Sequence, residues 1–230
     1  MSKFIQLFVL LLLVASCKKE EVVTPKVRYE NTSKSEPKNE VVATELLIAD
    51  LPIHFADTST LLFPVGNVVP SQRGSQSFTI SNNSDFQITG YLKNMHFQDI
   101  KSDSIIPLTD QSILIETATY LKSIADKHKK KLMVYTLADA DTNKDQKVDE
   151  NDIQSLYISQ LTGKKFTKIS ADFNELIDWK VIDANARLYY KTIEDTDKNG
   201  QLDQNDQVQY YYVDLLKEDW KSIAYFPLKK

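Results

Sequence analysis

The chemistry open to this chain is concentrated in two acidic stretches, residues 141–152 (DTNKDQKVDEND) and 195–206 (DTDKNGQLDQND). Each carries oxygen-bearing side chains at positions 1, 3, 5, 9 and 12, with an aliphatic residue, Val148 or Leu202, at position 8. A hard cation such as Ca2+ takes about six to eight oxygens at roughly 2.3–2.6 Å, and this spacing converges them on one point. In the second stretch the ligands would be the side chains of Asp195, Asp197 and Asn199, the Gln201 backbone carbonyl, Asp203 directly or through water, and Asp206. The first offers Asp141, Asn143, Asp145, the Lys147 carbonyl, Asp149 and Asp152. Four carboxylates crowded into each loop repel one another without a counter-ion, so a bound metal would stabilise the fold by linkage.

The loops are not equivalent. Gly200 occupies the sixth position, where such a loop turns sharply, and Gln146 replaces it in the first stretch. A non-glycine residue there must accept a positive φ or a distorted turn, which predicts the weaker site at 141–152. Both loops close with Asp, as dockerin-type loops do, and the short arm implies a modest dissociation constant, on the order of 10⁻⁴–10⁻³ M. A frame running 139–150 would put Gln146 at the apolar position, against the repeat described next.

The loops begin 54 residues apart, and the likeness extends past the acids: Tyr135 aligns with Tyr189, Val148 with Leu202, and 156–158 with 210–212. A fixed period of this kind marks a duplicated supersecondary unit. The flanks at 131–137, 155–161, 187–193 and 208–213 are rich in β-branched and aromatic residues and predict strands. Thr162 and Gly163 predict a two-residue hairpin turn after 155–161. Apolar spacing at Ile153, Leu156, Tyr157, Leu161 and at Val208, Tyr211, Tyr212, Leu215, Leu216 also fits helices, which leaves an EF-hand-like helix-loop-helix unit as the alternative. Upstream, 51–55, 61–65, 78–80, 87–92 and 95–100 read as strand-like runs. Residues 113–128 fit a helical face (Leu114, Ala118, Leu121, Ala125, His128), while 113–117 alone suits a strand.

Residues 152–170 (DIQSLYISQLTGKKFTKIS) are similar to the LYVSDLDGKNLxQLT hairpin of TolB-like and WD40-like propeller blades. The segment 177–190 (IDWKVIDANARLYY) resembles the opening of the next blade, without the usual Ser-Pro-Asp-Gly turn. The resemblance covers roughly 110–225. It implies a mainly β fold of four-stranded antiparallel meanders, a partial propeller or sandwich, with a calcium loop inserted between the second and third strands of each repeat. The alternative fold class is α+β with EF-hand-like units.

At the start of the chain, Lys3 precedes an apolar run from Phe4 to Val14 that closes on Ala15, Ser16 and Cys17. That run is too short to span a bilayer and describes an export signal. Its last residues resemble a bacterial lipobox, with Cys17 as the lipidated residue. Lys18, Lys19, Glu20 and Glu21 resemble the surface-export signal of Bacteroidetes lipoproteins. Cys17 is the single cysteine, so no intramolecular disulfide can form. The reading divides the chain into a signal peptide (1–16), a polar tether (17–44) with a reach of about 25–30 Å, an N-terminal β-rich part (45–110) and the calcium-loop region (111–230).

A formal charge of −4 and the want of a basic stripe argue against nucleic acid. His54, His96 and His128 have no metal-ligand spacing, and no phosphate loop, nucleophile elbow or Cys-His pair is present. Tyr189, Tyr190, Tyr210, Tyr211, Tyr212, Trp179 and Trp220 form an aromatic cluster that strand alternation would split between core and surface. The expected function is a lipid-anchored protein of the outer membrane, on its periplasmic face or at the cell surface. It would be non-enzymatic, with two Ca2+ ions rigidifying a β-rich domain that binds a protein or glycan partner. Alternatives are a dockerin-like docking module, and a hydrolase whose site carries no recognisable motif.

Overall fold

The structure, a computed structural model, describes residues 45–69 and 78–228. The export signal, Cys17 and the tether lie outside the described residues. In chain order the elements are β1 (Leu46–Ala49), β2 (Ile53–His54), β3 (Thr60–Val68), β4 (Ser81–Ser84), β5 (Gln87–Asp99), β6 (Ile105–Pro107) and β7 (Leu114–Tyr120). A short helix α1 (Lys122–His128) follows, then β8 (Leu132–Ala138), β9 (Gln154–Gln160), β10 (Thr167–Lys168), β11 (Asn174–Ile182), β12 (Arg187–Glu194), β13 (Gln207–Asp214) and β14 (Ile223–Ala224). The fold is mainly β and wholly antiparallel in its pairing. No helix among the described residues is long and apolar enough to cross a membrane.

Ten strands form the first sheet, in the order β1-β3-β5-β7-β8-β9-β10, with β2 added to β3 and β4 and β6 to β5. Strands β5 and β7, on either side of position 110 in the chain, pair within this one sheet. The second sheet is a four-stranded meander, β11-β12-β13-β14. Strand β8 explains how the two join, because all seven of its residues are buried. Its odd residues Met133, Tyr135 and Leu137 enter one core cluster, under the concave face of the first sheet. Leu132 and Val134 point the other way, into a second cluster shared with Leu176, Leu188, Tyr190, Val213 and Leu215 of the second sheet. Helix α1 contributes Ile124 to this shared core. It ends where Lys129 takes a left-handed conformation, and Ser123 and Lys127 bond Asp183 in the β11–β12 turn.

The first sheet curls on itself. Phe97, near the end of β5, lies against Gly163 in the β9–β10 turn, where an added Cβ would come within 2.6 Å of its ring. Phe166 in the same turn stacks on Tyr157 at 4.6 Å and meets Tyr135 edge-on at 5.5 Å.

Several expectations need correction. Both acidic loops are flanked by strands, so the helix-loop-helix alternative is not the fold. Strand β9 has five consecutive buried residues, and a strand apolar on both faces satisfies helical spacing as readily as any other. For the same reason 113–128 is not one helix: 114–120 pair with both β5 and β8, and only the last seven residues are helical. The runs 87–92 and 95–100 are one bent strand, β5, and 78–80 form no strand. The turn at Thr162 and Gly163 is wider than two residues: the Gln160 N–H reaches the Lys164 carbonyl at 2.9 Å around residues 161–163, and the ladder resumes at Ile158 and Thr167.

Candidate metal centre

Each acidic loop closes a hairpin, 141–152 between β8 and β9 and 195–206 between β12 and β13. In both repeats it therefore lies between the second and third strands of a meander. The two loops repeat one hydrogen-bond pattern, position by position. Asp141 accepts the N–H groups of Asp145 (3.1 Å) and Gln146 (2.7 Å), and Asp195 those of Asn199 (3.1 Å) and Gly200 (2.8 Å). Asn143 and Asp197 accept from residue five of their loop at 2.9 and 3.1 Å. Asp145 and Asn199 accept the N–H of position seven, Lys147 or Gln201, at 2.9 and 2.7 Å. Asp149 and Asp203 accept from Asn151 and Asn205 at 2.9 and 2.8 Å. The closing carboxylates, Asp152 and Asp206, reach back to the N–H groups of positions two and nine at 2.7–3.0 Å and 2.8 Å.

These bonds are short-range and use orphan N–H groups that the sharp turns expose, as Asx turns do. An ionised carboxylate offers about four acceptor sites, so the two in-loop bonds at Asp197 and at Asp206 leave lone pairs for an ion, whereas Asp152 already accepts four. Asp195, Asp197 and Asp206 bring one ligand oxygen each within 4.8 Å of one another, a group able to hold a metal ion, and it runs from buried Asp195 to exposed Asp197. The corresponding trio of the first loop, Asp141, Asn143 and Asp152, has an amide in place of one carboxylate. Gln146 adopts φ 74° and Gly200 φ 81°, and the lysines at position four, Lys144 and Lys198, are left-handed as well. The strained position foreseen from the sequence is thus real, and the turn keeps its course by accepting the strain.

Asp152 is fully buried, and its oxygens accept from Thr142 N, Thr142 Oγ1, Asn143 N and Asp149 N. No cation is among these donors. Thr142 Oγ1 also accepts the N–H of Ile153 (3.0 Å), as Thr196 Oγ1 does that of Gln207 (3.2 Å). These threonines were not among the expected site residues, although the repeated Asp-Thr opening of both loops marks them. They tie the first turn of each loop to the strand that leaves it. Lys93 of β5 adds a clamp, bonding the Val148 carbonyl at 3.3 Å.

Asp139, the start of the rejected frame, is engaged elsewhere. It accepts the Tyr157 hydroxyl at 2.6 Å, Lys168 Nζ at 2.6 Å and Ser155 Oγ at 3.1 Å. Burial, and then the bond to this carboxylate, hold the Tyr157 hydroxyl far above the usual tyrosine range.

The loops lie at one end of the molecule. Glu175, at the start of β11, accepts the N–H of Gln154, the first residue of β9 (2.7 Å), and its neighbour Asn174 pairs with Glu194, which precedes the second loop. Burial pushes the Glu175 carboxyl up to about 7, and the charge of Glu116 adds to the rise. Both glutamates line a cleft of about 420 Å3 between the sheets, beside Trp179 and Asp178.

The aromatic cluster divides as alternation requires. Tyr190 and Tyr211 stack at 5.2 Å on the core side. Tyr189, Tyr210 and Tyr212 lie on the outer face of the second sheet, where Tyr225 joins them at 5.4–6.4 Å and Arg187 sits 4.2 Å above the Tyr212 ring. No protein-family model, curated protein or solved structure matches the chain significantly.

Proposed function

We propose that the protein is a calcium-stabilised, non-enzymatic binding protein of the bacterial envelope, anchored through a lipid on Cys17. The observation that carries this reading is the recurrence of corresponding backbone-to-side-chain hydrogen bonds in two duplicated loops, together with the convergence of Asp195, Asp197 and Asp206. Oxygen-only ligation on short acidic loops suits a hard divalent ion, and Ca2+ tolerates the uneven mixture of carboxylate, amide and carbonyl donors. In this proposal each loop takes one ion through Asp141, Asn143, Asp145, Lys147, Asp149 and Asp152, or Asp195, Asp197, Asn199, Gln201, Asp203 and Asp206. The ions hold the two hairpin ends rigid. Each site contributes about 2.7 kcal/mol of stability when free calcium exceeds its dissociation constant a hundredfold.

The binding surface in this reading is the outer face of the second sheet. Four tyrosines lie there beside Arg187, Lys180 and Lys191, with Asp178 and Asp214 opposite Lys191 and Arg187 in the register. Rigid amphipathic rings among paired charges suit a glycan or a protein surface better than a polyanion. The lipobox supports attachment to the outer membrane, on its periplasmic face or at the cell surface.

Calorimetric titration of Ca2+ into chelator-treated protein is expected to resolve two binding events. Asp195→Ala removes one and Asp141→Ala the other, the second loop being the tighter. A melting temperature equal in excess EGTA and in millimolar calcium would sink the proposal.

A further inference from the structure

At the end of the molecule opposite the acidic loops lies a cleft of about 320 Å3 whose walls are basic. It is lined by Lys129, Lys130 and Lys131, where α1 runs into β8, and by Lys217 and Trp220, which follow β13; one carboxylate, Glu218, stands among them. Lys165 reaches that same carboxylate from the β9–β10 turn. Glu218 therefore receives Lys130 at 2.6 Å and Lys165 at 2.8 Å, and these two cations hold its carboxyl down at about 2.

The remaining ammonium groups form no ion pair among the described residues, and Asp219 is within electrostatic reach of Lys217. Lys129 and Lys131 donate to backbone carbonyls, of Asp126 (3.0 Å) and Asp57 (2.7 Å). The Lys217 ammonium has no hydrogen bond or ion pair among the described residues. Nearby Asp126 and Asp219 are paired with Lys122 and Lys221. A chain of formal charge −4 thus concentrates uncompensated positive charge in one concavity. Trp220 packs against the shared core, and its indole Nε1 is sealed from solvent, so the cleft's polar character comes from the lysines.

We infer that this cleft binds the phosphate group of a small anionic ligand. Size and chemistry both select this class. Ligand pockets run from roughly 300 Å3 upward, so the cleft admits a head group and no folded partner. Its cations are all lysines, point charges suited to a phosphate rather than the planar forks that grip a carboxylate two-handed. A phosphate monoester brings two charges and three oxygens, enough to engage several ammonium groups at once. No expectation from the sequence marked this cleft, because the run of lysines 129–131 carries no signal until the fold adds Lys217 and Lys165.

The test uses the full chain in calcium-free buffer, because calcium would precipitate phosphate. Titration with glycerol 3-phosphate and with inorganic phosphate, at ionic strength matched by chloride, is expected to give saturable binding. Lys217→Glu with Lys129→Glu should weaken it at least about tenfold, while the variant's far-ultraviolet circular dichroism and melting temperature stay unchanged. Co-sedimentation with phosphatidate vesicles, against phosphatidylcholine alone, separates the sources. Retention that glycerol 3-phosphate displaces assigns the group to a lipid head, and no retention assigns it to a soluble ester. The inference is overturned if neither phosphate probe saturates, if the lysine variant binds as well as the parent, or if only a single-stranded DNA oligonucleotide binds.

Discussion

Gln146 holds a backbone φ of 74° that its counterpart Gly200 adopts without strain. Left-handed geometry costs an ordinary side chain about 1 kcal/mol, so Gln146→Gly is expected to stabilise the protein by on the order of 0.5–1 kcal/mol. Urea denaturation followed by circular dichroism checks this, and an unchanged midpoint would mean that the loop relaxes elsewhere. Glu175 makes a prediction of opposite character. Its carboxyl is raised to about 7 by burial and by Glu116, so between its ordinary value of 4.5 and 7 the folded state binds more protons than the unfolded one. Stability from this group is complete below about pH 4.5 and is lost as pH rises to 7, on the order of 2–3 kcal/mol. The difference in unfolding free energy between parent and Glu175→Gln should change across that window, the variant gaining at pH 8. A flat difference profile would contradict the burial argument.

The β9–β10 turn closes the curl of the first sheet. Gly163 has φ 78° and sits against the Phe97 ring, 2.6 Å from where a Cβ would be. Gly163→Ala combines backbone strain with overpacking and is expected to cost about 1–3 kcal/mol, measured by denaturant unfolding. Phe97→Leu in the same background should recover part of that loss. Element by element, the hairpins around the loops were legible in the sequence because β-branched and aromatic residues crowd both flanks. Their register was not. Val134 pairs with Ile158, and Leu188, 54 residues on, pairs with Val213, 55 residues beyond Ile158. The alignment of 156–158 with 210–212 therefore slips by one residue after the loop. Because a strand alternates faces with period two, that slip decides which tyrosines are inside: Tyr211 answers Leu156 in the shared core, and Tyr212 answers Tyr157.

At the scale of the molecule, one core joins the two sheets, through Leu132 and Val134 from one side and Leu188 and Val213 from the other. Leu188→Ala is expected to cost about 2–5 kcal/mol and to shift a single cooperative transition. Tryptophan fluorescence, which reports the second sheet through Trp179 and Trp220, should coincide with far-ultraviolet circular dichroism before and after the substitution. Two separated transitions would show that the sheets unfold independently. Residue types and spacing alone determined the duplicated acidic loops, the bonds they share at corresponding positions and the strain at Gln146, since all of these depend on neighbours within twelve positions. Burial had to be decided by tertiary packing. Tyr135 and Tyr189 are equivalent positions that both face away from the shared core, yet the first sheet curls over Tyr135 and leaves no counterpart over Tyr189. The lysine cleft has the same origin: Lys130, Lys165 and Lys217 lie far apart in the chain, and only the fold brings their charges to one place.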